Sequence, residues 1–230
     1  MCECLHQMPD SPFSGSEVKD DLEHCYDKPT KNINAHLRIV SDNHAKSNGF
    51  YCPYCGHFPC DTLDHYLPKS VFAEFSIKAN NLIPCCSKCN RLKSDTWSDE
   101  YDVFINPYFH GSIASVKFVK CELDLSDGNG IEITFSLSNM EHIESNKRQT
   151  VLNHFEKLDL LNRHRDHSRQ VIGEYLENVK YLVGSGEDIA PYLSNQFVIL
   201  SAKYGINHWK TSLLEAMLDK CSDLVLFVTS

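Results

Sequence analysis

The sequence predicts an α+β fold, mainly helical with a β-hairpin, on three observations. Residues 131–137 (IEITFSL) alternate apolar and polar side chains, the period of a half-buried strand. From about Asn146 onward the apolar period lengthens to that of a helix. Between residues 50 and 97 the chain breaks into short apolar pieces punctuated by Pro53, Pro59 and Pro68 and by a concentration of cysteines. The expected organisation is a helical lead-in over 1–49, a cysteine-rich module over 50–97 and an α+β remainder over 98–230.

In the lead-in, residues 16–27 and 31–46 have helical composition. Pro29 separates them, because the residue before a proline is pushed out of helical backbone. Beyond the module, Val116–Leu125 and Ile131–Leu137 flank SDGNG, which predicts a hairpin. The apolar phase of the first strand shifts between Phe118 and Val119, which predicts a bulge. Val151, Phe155 and Leu158 form one helical stripe, and Val171, Tyr175, Val179 and Leu182 another. Further helices are expected over 188–203 and 207–220, with Gly205 as the break and Trp209 as a core anchor. "NPYF" (106–109) and His154-Phe155 read as core packing. His154, His164 and His167 have no cysteine or carboxylate grouped with them, so no second metal is expected there. Arg163, Arg165 and Arg169 read as a solvated helix face.

A chain of 230 residues can bury one substantial core, with room for a small inserted module. Its 42% hydrophobic and 23% charged content exclude disorder as the default. The opening MCECLHQMPDSPFSG has no basic stretch followed by an apolar run, and the longest apolar run, Leu224–Val228, is too short to span a bilayer. The cytoplasm is therefore the expected location. Eleven cysteines, an odd number, argue for reduced thiols with a metal-binding subset and against a disulfide framework. Cys2, Cys4, Cys25, Cys121 and Cys221 are scattered and read as small hydrophobes or idle thiols. A net charge of -9 means that any nucleic-acid-binding face is local, or that a partner supplies it.

Cys52 with Cys55 and Cys86 with Cys89 each enclose two residues, the separation at which one tight turn points two thiolates at one Zn²⁺. Cys85 is an alternative to Cys86, which is preferred because its gap to Cys89 repeats the first pair. Cys85, Cys60 and His57 read as packing or loop residues. Between the pairs lies LDHYLPKS (63–70), followed by Asn81 and, directly after the last cysteine, Asn90. If Asp64 and His65 end a short strand, their side chains diverge, so one can hold a metal while the other acts as a base. Asn90, just inside a helix opened by Ser87, can then reach the same metal from the facing element. Lys69, Lys88, Arg91 and Lys93 form a basic set around this point in an acidic chain, and read as phosphate contacts. Asp95 orients a neighbour or ends the helix.

The ordered set CPYCG (52–56), LDHYLPKS (63–70), NLIPCCSKCN (81–90) and RLKSD (91–95) resembles the HNH endonuclease family. The resemblance covers about 45 of the 230 residues. It implies a zinc-stapled ββα-metal core embedded in the mainly helical chain. It further implies His65 as general base, Asp64 and Asn90 as ligands of the catalytic ion, and Asn81 as a brace for the loop that holds His65. Many family members have His where this chain has Asn90, and an amide oxygen suits a hard ion, so Mg²⁺ or Mn²⁺ is expected at the catalytic site and Zn²⁺ only at the cysteines. The implied activity is hydrolysis of DNA phosphodiesters leaving a 5′-phosphate, in a bacterial antiviral defence or mobile-element setting, with some members working beside an ATPase subunit. Two other functions stay open: an RNA-cleaving toxin of the tRNA-cutting kind, and a non-catalytic zinc module that binds protein or nucleic acid.

Overall fold

The computed structural model describes residues 11–48, 50–125 and 130–229. They form two compact units, one made of the described residues up to Gly111 with Ser145–Leu158, the other of Ser112–Glu144 with the residues from Asp159 on. This grouping cuts the chain differently from its composition: residues 98–111 and a helix from 145 join the cysteine-rich module.

The first unit contains α1 (Glu17–Asp27), α2 (Lys31–Asn48), β1 (Thr62–His65), β2 (Leu82–Cys85), α3 (Ser87–Lys93) and, from further along the chain, α4 (Ser145–Lys157). The two expected lead-in helices are present. β1 and β2 pair antiparallel, with Thr62 opposite Cys85, Asp64 opposite Ile83 and His65 opposite Leu82. Every residue of β2 is buried, which a two-stranded ribbon achieves only when both faces are covered. α3 lies on the face that carries Thr62 and Asp64, since Asn90 reaches the Thr62 hydroxyl. α2 lies on the face of Leu63, with which it lines a groove. α1 buries no residue of its own and is held by polar ties, including the Ser76 hydroxyl donating to the Leu22 carbonyl at 2.8 Å.

The second unit holds a second hairpin, β3 (Val119–Asp124) with β4 (Glu132–Leu137), and the helices α5 (Leu160–Gly184), α6 (Ala190–Tyr204), α7 (Trp209–Asp219) and α8 (Cys221–Thr229). Val119, Leu123 and Ile133 are buried and their strand neighbours exposed, as the alternation requires. The expected turn residues 126–129, like Cys2 and Cys4, lie outside the described residues. The register within β3 is continuous, so the expected bulge resolves into something else. The phase change falls at the first residue of the strand, where the consecutive N–H groups of Phe118 and Val119 both donate to the Asn207 side-chain oxygen, at 2.8 and 3.1 Å. Trp209 is buried as expected. The sequence reading had not assigned α8, whose apolar run buries Leu224. Arg163 is buried, while Arg165 and Arg169 remain on the outer part of α5. Among the described residues no helix is long and apolar enough to cross a membrane.

Candidate metal centre and active site

The first cysteine pair sits in a tight knuckle. The Gly56 N–H donates to the Cys52 carbonyl at 2.8 Å, and Gly56 takes φ +67°, a left-handed conformation that glycine adopts without the cost of a Cβ. The His57 N–H turns back onto the Cys55 sulfur at 3.5 Å. The second pair is set by the start of α3: Cys86 is the residue before the helix and Cys89 lies in its first turn. Asp61 fixes that start, accepting from the Ser87 N–H at 2.6 Å and from the Ser87 hydroxyl at 3.0 Å.

These turns bring the sulfurs of Cys52, Cys55, Cys86 and Cys89 within 4.8 Å of one another, and all four residues are buried. The Cys55 and Cys86 sulfurs are 3.8 Å apart, the edge length of a tetrahedron with Zn–S bonds of ~2.3 Å. The donor set therefore suits Zn²⁺. Cys86 joins the cluster, and Cys85, buried on β2, does not. The shared sulfur hydrogen bonds spread the thiol acidities. Cys52, as a donor to Cys55 and Cys86, is held far above the ordinary thiol range. Cys86 is driven well below it by the thiols pointing at its sulfur, Cys52 first, and Cys55 falls to about 7 for the same reason. Cys89 is raised with Cys52, so two thiols of the four are held protonated and two are favoured as thiolates; a divalent metal binds all four only as thiolates, which makes its binding release protons. Cys60 stays outside it: burial raises its thiol to about 12, and it donates to the Pro84 carbonyl at 3.3 Å.

Asp64 and His65 end β1 and diverge as adjacent strand residues must. Asp64 is 2% exposed. One of its oxygens accepts from the Tyr54 hydroxyl at 2.6 Å, and the other pairs with the Lys93 ammonium at 3.2 Å. Tyr54 comes from the first cysteine knuckle and Lys93 from the end of α3, so both sides of the zinc clasp converge on this carboxylate. Lys93 is fully buried and also donates to the His65 carbonyl at 2.7 Å. This corrects its expected role as a phosphate contact: its ammonium is spent inside the module.

Replacing Lys93 with Met keeps the aliphatic stem and removes the charge, leaving Asp64 buried without its cation. The expected loss is about 3–5 kcal/mol in the stability of the zinc-loaded protein, read by urea denaturation. A wild-type midpoint would contradict the pairing described here.

The His65 ring nitrogen Nε2 lies 2.8 Å from the Ser76 carbonyl. A carbonyl only accepts, so Nε2 carries the hydrogen and Nδ1 of the neutral ring keeps its lone pair. Burial lowers the His65 pKa below the usual histidine value, although the Ser76 contact pulls the other way. The edge of the Tyr26 ring, from α1, meets the imidazole at 4.3 Å between centroids. Asn81 clamps the segment after His65: its side-chain oxygen accepts from the Leu67 N–H at 2.8 Å, and its amide donates to the Leu67 and Phe75 carbonyls at 3.0 and 3.2 Å.

Asn90 lies on the α3 side of β1. Its amide nitrogen donates to the Thr62 hydroxyl at 3.1 Å, and the Leu63 carbonyl is 3.4 Å away. This orientation leaves its side-chain oxygen as the acceptor for a ligand. Asp64 retains lone pairs beyond the two already engaged, because each carboxylate oxygen accepts twice. The pair thus offers hard oxygen donors on one face of β1, with Lys93 offsetting the Asp64 charge. Of the remaining basic set, Lys88 and Arg91 are exposed on α3, while Lys69 pairs with Asp27 beneath the Tyr26 ring. Asp95 accepts from the Ser70 hydroxyl at 3.0 Å.

Sequence reading missed two supports. Tyr54 is one. His154 is the other: its Nδ1 accepts from the Ile105 N–H at 3.3 Å, so Nε2 donates to the Tyr54 carbonyl at 2.9 Å, tying α4 to the first cysteine knuckle. Core packing was the expected role of His154; its polar partners had no local signature.

No known family profile matches this chain, and no solved structure matches it. Protein ea31 of Escherichia phage lambda is similar to it: the two are 26% identical over 226 residues, covering 91% of this chain and 75% of that protein.

Proposed function

We propose that this chain is a metal-dependent endonuclease of the HNH kind that hydrolyses DNA phosphodiester bonds. The observation that supports the proposal is the His65 tautomer: the Ser76 carbonyl holds the hydrogen on Nε2 and leaves Nδ1 free to act as a base, one residue along β1 from Asp64, whose side chain turns to the α3 side with Asn90. Asp64 and Asn90 would hold Mg²⁺ or Mn²⁺, which supplies charge neutralisation at the scissile phosphate and leaving oxygen. His65 Nδ1 takes a proton from the attacking water. The Ser76 carbonyl stabilises the imidazolium that results, because its hydrogen bond strengthens when the ring is charged. Lys93 and Tyr54 fix the Asp64 carboxylate, and Asn81 fixes the loop that leads away from His65. Lys88 and Arg91 on α3 are the exposed members of the basic set left for phosphate contact.

The proposal extends to setting. The net charge of -9 favours an enzyme whose substrate is delivered with the help of a partner, of the ATPase kind that the resemblance implies. None of the nine cysteines among the described residues is in a disulfide, and four of them form the cluster suited to zinc, which fits a reducing compartment such as the cytoplasm.

The test presents purified protein with supercoiled plasmid and, side by side, total tRNA, with and without Mg²⁺ or Mn²⁺. Divalent-dependent nicking or linearisation of the plasmid is the expected outcome. Cleavage of tRNA with intact plasmid would replace the DNA substrate with RNA. Stoichiometric zinc with neither product, in the presence of the partner, would leave a binding module in place of an enzyme.

A further inference from the structure

The face of β1 opposite Asp64 borders an open groove of about 550 Å³, lined by Lys31, Asn34, Leu37, Arg38 and Ser41 of α2 and by Leu63 of β1. The four polar residues follow a spacing of three, four and three, so they form one stripe along the helix. Lys31, Asn34 and Arg38 are exposed. Among the described residues neither Lys31 nor Arg38 pairs with a carboxylate, and no acid lines the groove. In a chain with 22 basic and 31 acidic residues, that is a local reversal of sign.

Its position matters as much as its charge. Leu63 and His65 point to the same side of β1, two strand residues or roughly 7 Å apart. The groove therefore opens beside the proposed base. α2 is anchored there by His36, whose ring Nε2 meets the Ile77 carbonyl at 2.9 Å, one residue past the Ser76 carbonyl that sets the His65 tautomer.

We infer that this α2 groove binds the sugar-phosphate backbone of duplex DNA, with Lys31 and Arg38 contacting phosphates and the Asn34 amide, which gives one hydrogen to the Pro29 carbonyl at 3.2 Å, donating its other to a phosphate oxygen, while the Ser41 hydroxyl donates within the helix to the Leu37 carbonyl at 3.3 Å. It is a second contact site, outside the segment that resembles a nuclease and on a different element from Lys88 and Arg91. Two cations and a neutral amide donor along one helix face suit a repeating anionic backbone. The inference rests on the nuclease proposal for its substrate, but it concerns binding and can fail alone.

The experiment measures binding of a short fluorescein-labelled DNA duplex, and in parallel labelled tRNA, by anisotropy across a salt series in magnesium-free buffer. Wild type is compared with Lys31→Ala/Arg38→Ala and with the equally charged control Lys180→Ala/Lys220→Ala. On DNA, the groove variant is expected to lose about tenfold or more in affinity and to lower the slope of log K against log salt by about two, one unit per phosphate contact removed. The control is expected to bind as wild type does. Equal binding by the groove variant and the control overturns the inference, as does a wild type that binds no DNA. A loss confined to tRNA overturns the DNA assignment. Groove-dependent binding by a protein that cleaves nothing would sink the nuclease proposal and spare the groove; normal cleavage with groove-independent binding would do the reverse.

Discussion

Cys89→Ala is expected to abolish zinc binding and melt the module built from the cysteine knuckle, β1, β2 and α3. The two knuckles meet at the sulfurs, and the hairpin between them is only four residues per strand. Two such strands are marginal without a staple. Structural zinc in small modules is worth ~10–16 kcal/mol in apparent folding free energy, as much as the whole stability of an ordinary domain. Elemental analysis should find one zinc per wild-type chain and none in the variant. Hydrogen exchange should show the β1 and β2 amides losing protection. Cys85→Ala is the internal contrast: Cys85 is equally buried but outside the cluster, so zinc content should be unchanged. A zinc-free chain with fully protected β1–β2 amides would contradict the staple.

His65→Ala is expected to reduce cleavage by ~10² to 10⁴, the usual contribution of a positioned general base. The fold should survive, since the side chain is half-buried and its one hydrogen bond goes to a single backbone carbonyl. Zinc content and melting temperature are therefore the controls, and both should match wild type. The loss should appear in the chemical step, with DNA affinity retained. A variant that loses zinc along with activity would show that His65 supports the clasp, although it is not one of the four residues of the cluster.

The cysteine cluster was legible because its signals are local. A two-residue gap between cysteines fixes a knuckle whatever surrounds it, and a strand's period of two is enough to send Asp64 and His65 to opposite faces. The helices of the lead-in were legible from composition and from Pro29. What escaped was set by partners distant in sequence. Lys93 looked like a surface cation because lysines usually are; only the path of α3 under β1 makes it the counter-ion of Asp64. Tyr54 sits between two cysteines and gave no sign that its hydroxyl would reach a carboxylate ten residues on. His154 meets Tyr54 across 100 residues of chain, beyond the reach of any periodicity argument. The phase change at Phe118 predicts a bulge that the continuous register excludes; instead its N–H and that of Val119 share the side-chain oxygen of Asn207, 89 residues downstream of Phe118.

The central claim is that the imidazole at position 65 performs the proton transfer. The most direct measurement is single-turnover cleavage of plasmid by wild type and His65→Ala at matched zinc content, with and without added free imidazole. The expected result is a slow variant whose rate rises with imidazole, beside a wild type whose rate does not. A variant that cuts as fast as wild type, with no response to imidazole, would contradict it.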